Sequence, residues 1–539
     1  MEGKQTMKHK FGYVVTLSLI LIAGCLPQSP VDYYEMKVPP AKLREVQPLD
    51  LQEKIEEPNE PPAAPAPERI SLSLEECRLW TIENNLDLKA ELINPSIAAE
   101  ALSEQEAKFE STFNANFSHG VTKEASPFSS DVAATSSTGT ESNLGVNMPL
   151  QTGGTLAFNL TDQRSETNQT SSINPFFRTN ARFSISQPLL RNAGRRVNLA
   201  SIRIARYDLY DSEARTKLQL INVLSTSEEY YWRLYAARKE LEVRQQQYEL
   251  AQAQLDRAKR LVKAGERAEV EVLRAEAGMA SQLEQIIIAE NALRQSQRQL
   301  KRIMNRDTLP AVSMTKLIPV TEPDPVVYEL DPEELMTRAM DNRMELLQDE
   351  LSIARQIIRI DTAHNQTLPD VAFTFNHNFS GLGAGRSGAY NQLGQTDSKN
   401  YSFYLGVEIP LGNEAAKSTL QQALYQRIQL LLTKENRENL IETEVFNAVD
   451  SVQANWQRIL AARQNVLLEA RLTDAEIRQF EIGMRTSTDV LEAQTRLTNA
   501  RSAEIQALTD YQISLVELAK ATGTLLGSAK VDWQPATTQ

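Results

Sequence analysis

The sequence predicts a mainly α-helical protein with a membrane β-barrel portion, built from two tandem repeats of helix, strand pair and long helical hairpin. Three observations predict this. The chain is written twice, with ordered matches that begin at an offset of 258 residues. Two long stretches, Leu189 to Leu309 and Leu411 to Gln534, contain no proline. Short segments before them alternate apolar with small or polar residues, as transmembrane β-strands do.

Composition bounds the alternatives. At about 150 residues per domain, 539 residues would make three or four domains. Aromatic residues are only 6% and glycines number 21, which points instead to long helices. With 24% charged residues the chain is too polar for a bundle of membrane helices, each of which needs about 20 apolar residues. The net charge of −13 argues against a nucleic-acid partner. His9, His119, His364 and His377 fit no metal-ligand spacing, and no nucleophile–base constellation stands out. No catalysis, metal or cofactor is expected. Cys25 and Cys77 cannot form a disulfide framework, and Cys77 reads as a buried helix residue.

Residues 1–24 read as an export signal. Lys4, Lys8 and Lys10 precede an apolar run from Phe11 to Gly24 that is too short to span a membrane as a helix. The run ends Leu21-Ile22-Ala23-Gly24-Cys25, which looks like a bacterial lipobox, so Cys25 is the candidate lipidation site. Leu26 follows it, where an Asp would often signal retention at the inner membrane. Residues 25–70 form a linker marked by Pro39-Pro40 and by the run from Pro61 to Pro67, which favours extended polyproline II.

The first copy is assigned 71–310, a connector 311–328, the second copy 329–527 and a tail 528–539. Leu72-Ser-Leu-Glu-Glu76 matches Leu330-Asp-Pro-Glu-Glu334, with Ser73 and Asp331 as helix N-caps. Strands are expected at about 111–190 and 369–411. Phe113, Ala115 and Phe117 share one face, as do Val371, Phe373 and Phe375, and Tyr401, Phe403, Leu405, Val407 and Ile409. The first copy also has an additional hairpin, 143–161, turning at Gly153-Gly154. Beyond the strands, Leu234, Leu241, Tyr248, Leu255 and Val262 recur every seven residues, as do Ile459, Val466, Thr473 and Phe480. Heptads of this kind pack helices side by side. One helix over 201–263 would be roughly 95 Å long and must find neighbours. Gly265 and Gly483 interrupt the two patterns at matching points and suit a reversing turn. Gly383-Ala-Gly-Arg-Ser-Gly388 has the spacing of a dinucleotide loop, but between strand-like segments it reads as a flexible loop tip.

The repeated plan resembles the TolC-like outer-membrane efflux protein family, particularly its lipoprotein branch, over about 70–526. The paired glycine turns and Gln187-Pro-Leu-Leu-Arg-Asn-Ala-Gly194 carry the likeness most specifically. The resemblance implies a homotrimer in the outer membrane of a Gram-negative bacterium. Three chains, usually with four strands each, would close one β-barrel, and helical hairpins would continue it into the periplasm. Such a chain would be the exit duct of a tripartite efflux pump or type I secretion system. Its partners would be a periplasmic adaptor and an inner-membrane transporter, besides outer-membrane lipid. The adaptor-docking role carries over to Ala264, Gly265 and Glu266 and to Ile482, Gly483 and Met484. Asp489 and Glu492 match acidic residues that face the pore at its constriction, where crowding would raise some carboxyl pKa values. Phe480 and Arg485, with Glu271 at the equivalent place in the first copy, match contacts that hold the entrance closed. Phe480 lacks the hydroxyl of the family's usual Tyr. Ducts of similar sequence export drugs, metal ions, siderophores or proteins. A periplasmic coiled-coil scaffold lipoprotein without a pore is the alternative.

Overall fold

The structure, a computed structural model, describes residues 68–125, 134–168, 173–395 and 399–531. The export signal, Cys25 and the polyproline run lie outside the described residues, as does the tail from 532. Strand β1 (Arg69–Leu72) opens the described chain and pairs in parallel with Lys316–Pro319. Four residues are too few for a period to show, so the sequence assigned β1 to the edge of the linker.

Three helices follow: α1 (Leu74–Asn84), α2 (Leu86–Glu91) and α3 (Asn94–Glu106). Ser73 and Glu76 form a complete capping box at the start of α1. Pro95 in the first turn of α3 fits a helix start, because its missing N–H would have no partner there.

Four antiparallel strands come next: β2 (Thr112–Ala125), β3 (Ala134–Pro149), β4 (Thr155–Thr167) and β5 (Phe176–Pro188). The first copy therefore holds four strands rather than a pair. The additional hairpin is the helix-proximal part of β3 and β4, with Gly153 at φ +90 in its turn.

After β5 the chain bends at Asn192 and Gly194, both with positive φ, into the short α4 (Arg195–Asn198). Helix α5 (Ala200–Lys263) then runs for 64 residues, about 96 Å. It turns back as α6 (Val270–Met304). Strand β6 (Lys316–Pro319) pairs with β1 and leads to the second copy. Helices α7 (Pro332–Asn342) and α8 (Met344–Gln366) precede β7 (Asp370–Gly383), α9 (Arg386–Leu393) and β8 (Lys399–Glu408). Asp331 caps α7 by accepting from the Glu333 N–H, while Glu334 pairs with Arg338 instead of closing a box. The second hairpin is α10 (Glu414–Glu481), 68 residues and about 102 Å long, with α11 (Ser487–Ala521). A last turn, α12 (Leu525–Ser528), follows.

The Gly383–Gly388 run is not a loose loop tip. Helix α9 folds back onto the sheet, so that a Cβ on Gly381 would meet the Ala389 carbonyl oxygen. Arg386 pairs with Asp162 at 2.8 Å. Strands β7 and β8 are antiparallel, so no βαβ unit exists to make a dinucleotide site.

The six long strands form one sheet in the order β2-β3-β4-β5-β7-β8. Its register aligns Phe113, Val146, Phe158, Phe183, His377 and Tyr401 in one row on one face. The other face carries Asn114, Gly145, Asn159, Arg182, Asn378 and Asn400 in an adjacent row. The apolar side chains are exposed rather than covered by the rest of the chain: Phe117 is 73% accessible and Tyr401 71%.

The core lies where the helices meet. Tyr231, Trp232, Leu300 and Met304 close around Leu72, Cys77 and Leu317. Ile441, Val445, Val452 and Ile459 pack with Tyr511 in the second copy. Thus β1 and β6 lock the base of the first hairpin, and the Tyr231 hydroxyl accepts from the Thr321 N–H at 2.9 Å. Cys77 is buried in this cluster, and burial pushes its thiol up to about 12. Farther along α5, Ala251, Leu255 and Ala258 are buried. Large and small residues alternate, which lets helices approach closely.

Candidate functional site

The two hairpin ends are built alike. At the end of α5, the Gly265 N–H donates to the Val262 carbonyl and the Glu266 N–H to that of Leu261, both at 3.0 Å. At the end of α10, the Gly483 N–H donates to Phe480 at 3.1 Å and the Met484 N–H to Gln479 at 3.0 Å. These are Schellman closures, which satisfy orphan helix carbonyls and need a left-handed residue. Gly265 has φ +77 and Gly483 φ +82. Ala264, Gly265, Glu266, Ile482, Gly483 and Met484 are all exposed, and Ile482 and Met484 present apolar side chains to solvent.

The tips touch each other within one chain. Phe480 is buried at 3% accessibility between two guanidinium groups, Arg257 at 5.7 Å and Arg267 at 5.3 Å from its ring centroid. A cation over an aromatic face is attracted by the ring quadrupole. Arg267 comes from the first tip and also donates to the Phe480 carbonyl oxygen at 3.4 Å. Arg257 reaches Glu481 at 3.2 Å. The Phe480 ring is thus clasped between two arginines.

Glu271 makes a second link. Its carboxylate accepts from the Ser487 N–H at 3.2 Å, at the start of α11, and from Arg274 at 2.8 Å. Burial pushes this carboxyl up, but the hydrogen bonds from Ser487 and the Arg274 charge outweigh it and hold it below the usual range. Asp489, at the same repeat position, does a different job. It closes a capping box on its own helix, accepting from the Thr486 N–H at 2.8 Å and hydroxyl at 2.9 Å. Those hydrogen bonds hold its carboxyl below the usual range. The raised value expected from crowding has no source inside one chain.

Glu492 is exposed one turn along from Asp489, while Val490 and Ala493 between and beside them are buried. The two carboxylates therefore share the face turned away from the packing. Arg485 stays on its own hairpin, held by Gln479 at 3.0 Å and Glu476 at 3.1 Å. Within one chain it makes no bond to Glu271 or to the first hairpin.

Sequence reasoning missed Arg257, Arg267 and Ser487, whose roles depend on which hairpin lies alongside. It also missed Gly278, where a Cβ would lie 2.5 Å from Leu491. The Asp489 cap was legible, because Thr486-Ser-Thr-Asp489 has capping-box spacing. Among the described residues no cluster of His, Cys, Asp or Glu could hold a metal, and no helix is long and apolar enough to cross a membrane.

The family described as "Outer membrane efflux protein" matches residues 155–306 and 335–524, and the chain belongs to that family. It is similar to the outer membrane protein TolC of Vibrio cholerae, 25% identical over 303 residues, 55% of this chain and 66% of that protein. It is also similar to the outer membrane protein TolC of Escherichia coli K12, 27% identical over 310 residues, 56% of this chain and 61% of that protein. The matched part is thus just under two thirds of each relative. In fold it is similar to the Campylobacter jejuni CmeC outer membrane channel, with TM-score 0.63 and 16% identity over 84% of this chain and 86% of that one.

Proposed function

We propose that this member of the outer membrane efflux protein family is the lipid-anchored exit duct of a tripartite efflux pump or type I secretion system. The observation that carries the reading is the open, two-faced sheet. Its edge strands, β2 and β8, each have a strand partner on one side only among the described residues. Lipid cannot satisfy backbone N–H and C=O groups, so a membrane sheet must close on itself. Strand β2 leaves the helices and β8 returns to them, so β8 of one copy can pair antiparallel with β2 of the next. Three copies then form one barrel, its aromatic rows toward lipid and its Asn-rich rows toward water.

The helices support the same assembly. Leu283, Ile287 and Ile288 on α6 and Leu460, Leu467 and Leu468 on α10 are exposed in one chain. Apolar stripes of this length on long helices call for neighbours. Side-by-side hairpins from three copies bury them and carry the duct through the periplasm. Acyl chains on Cys25 would hold each copy to the outer membrane.

The tips would dock onto a periplasmic adaptor through exposed Ile482 and Met484, with Ala264, Gly265, Glu266 and Gly483 shaping the contact. An inner-membrane transporter reached through that adaptor supplies the energy. The duct itself conducts passively and performs no catalysis. At rest the Phe480 clasp and the Glu271 link keep the hairpin ends together, and Asp489 and Glu492 line the constriction. Adaptor engagement splays the ends. A trimer that resists detergent and dissociates only on heating is expected on semi-native gels. A monomer under those conditions would favour the scaffold without a pore.

A further inference from the structure

The first copy contributes more wall than the repeat requires. We propose that the additional hairpin is part of the barrel wall, so that three chains close an 18-stranded barrel instead of one built from four strands per chain. This rests on the trimeric duct proposed above and specifies the size and lining of its outer-membrane part.

The register carries the inference. Strand β3 pairs with β2 over Thr112–Ala125 and with β4 along Thr155–Thr167, and β4 pairs with β5 without a break in face. Leu144, Val146 and Met148 continue the apolar rows of the flanking strands, as do Leu156, Phe158 and Leu160. On the opposite face, Asn143, Asn159 and Thr161 continue the polar rows toward Asn180, Asn376 and Asn378. A hairpin folded outside the wall would have no reason to keep both alternations in phase with its neighbours.

Two further contacts build the hairpin in. At the polar face, Gly145 lies between Asn114 and Asn159, and a Cβ there would stand 2.4 Å and 2.5 Å from their side-chain oxygens. A glycine at this place lets asparagines of the neighbouring strands close over it. At the helix end, the turn is fastened to the bend between β5 and α4. The Thr152 hydroxyl donates to the Gln187 side chain at 2.8 Å, and the Gly194 N–H donates to the Thr152 carbonyl at 2.9 Å. The turn thus docks on the same Gln187–Gly194 run that joins strand to helix.

The width follows from strand spacing. With strands about 4.8 Å apart and tilted about 40°, 18 strands enclose a backbone diameter of about 36 Å, against about 24 Å for 12. Below it, four long helical segments per chain, twelve in a trimer at 8–10 Å spacing, enclose roughly 31–38 Å. The wider barrel therefore continues the helical duct without a step. Its lining mixes Asn, Ser and Thr with charges, since Glu141, Arg178, Asp370 and Glu408 fall on the same face as Arg182. Arg182, the charge in the central polar row, donates to Asn376 at 2.9 Å.

Electron cryo-microscopy of the full-length protein in lipid nanodiscs tests this. The expected map has threefold symmetry, 18 strands and residues 143–161 in the wall. A threefold map with 12 wall strands and this hairpin outside them overturns the inference and leaves the duct reading intact. A map without threefold symmetry overturns the underlying reading itself. Thiol labelling gives a second readout, with Cys77 buried and silent. Asn159→Cys should react with a membrane-impermeant maleimide and Phe158→Cys should not. The reverse pattern would place the hairpin with its faces exchanged and overturn the proposal.

Discussion

The clasp around Phe480 can be weighed. Replacing a buried Phe by Ala costs about 3–5 kcal/mol when the site cannot collapse. The two guanidinium contacts contribute about 0.5–1 kcal/mol each. Phe480 lies in the last turn of its helix at 3% accessibility, so partial relaxation favours the lower end of the range. Phe480→Ala should therefore loosen the tip by about 3 kcal/mol, roughly a hundredfold in local opening. Phe480→Leu keeps most of the apolar volume and loses the cation–π contacts, so about tenfold is expected. Hydrogen–deuterium exchange of peptides spanning 255–270 and 474–490 reads this directly. Peptides around Tyr231 and Tyr511, far along the hairpins in the core, should be unchanged. Tip exchange in Phe480→Ala within about twofold of wild type would show that the clasp carries no local stability and refute the reasoning.

Gly265→Ala should cost about 1 kcal/mol through backbone strain alone, because nothing lies within 4 Å of its would-be Cβ; Gly265→Asn should recover part of it, measured by exchange at the tip. The lowered carboxyls of Asp489 and Glu271 stabilise the tips above their ordinary pKa range, and that contribution disappears as pH falls through the lowered folded values. A spin label at Ile482→Cys should thus become more mobile only below about pH 4, and at neutral pH in a Thr486→Ala background. Asp489→Ala with Glu492→Ala should weaken block by divalent cations in bilayer recordings; unchanged block would remove both residues from the constriction. The Cys77 thiol, pushed up to about 12 by burial, should stay unlabelled by maleimide at pH 8 until the protein is denatured.

The coarse architecture was legible because its signals are long. A proline-free heptad pattern and period-2 strands survive any uncertainty about single residues, and glycine at matching points marks the reversals. What the sequence left open depends on distant partners. Whether 143–161 joins the wall is decided by register against β2 and β5, which no local pattern contains. The pairing of β1 with β6 joins segments some 250 residues apart and is equally silent in composition. At the tips, Glu271 and Asp489 occupy equivalent repeat positions yet cap the same helix, one from across the hairpins and one from within. The resemblance gave Glu271 an entrance-closing role and Asp489 a pore-facing one, but only the packing of the first hairpin against the second shows that both hold the start of α11.

The central claim is that copies of this chain enclose a water-filled path across the outer membrane. Single-channel recording of the purified full-length protein in planar bilayers tests it most directly. The account predicts discrete conductance steps from the heat-modifiable trimer and none from the heat-dissociated chain. A trimer that inserts into the bilayer and leaves it electrically silent, with Asp489→Ala/Glu492→Ala and Phe480→Ala as silent as wild type, would contradict the duct and leave a scaffold in its place.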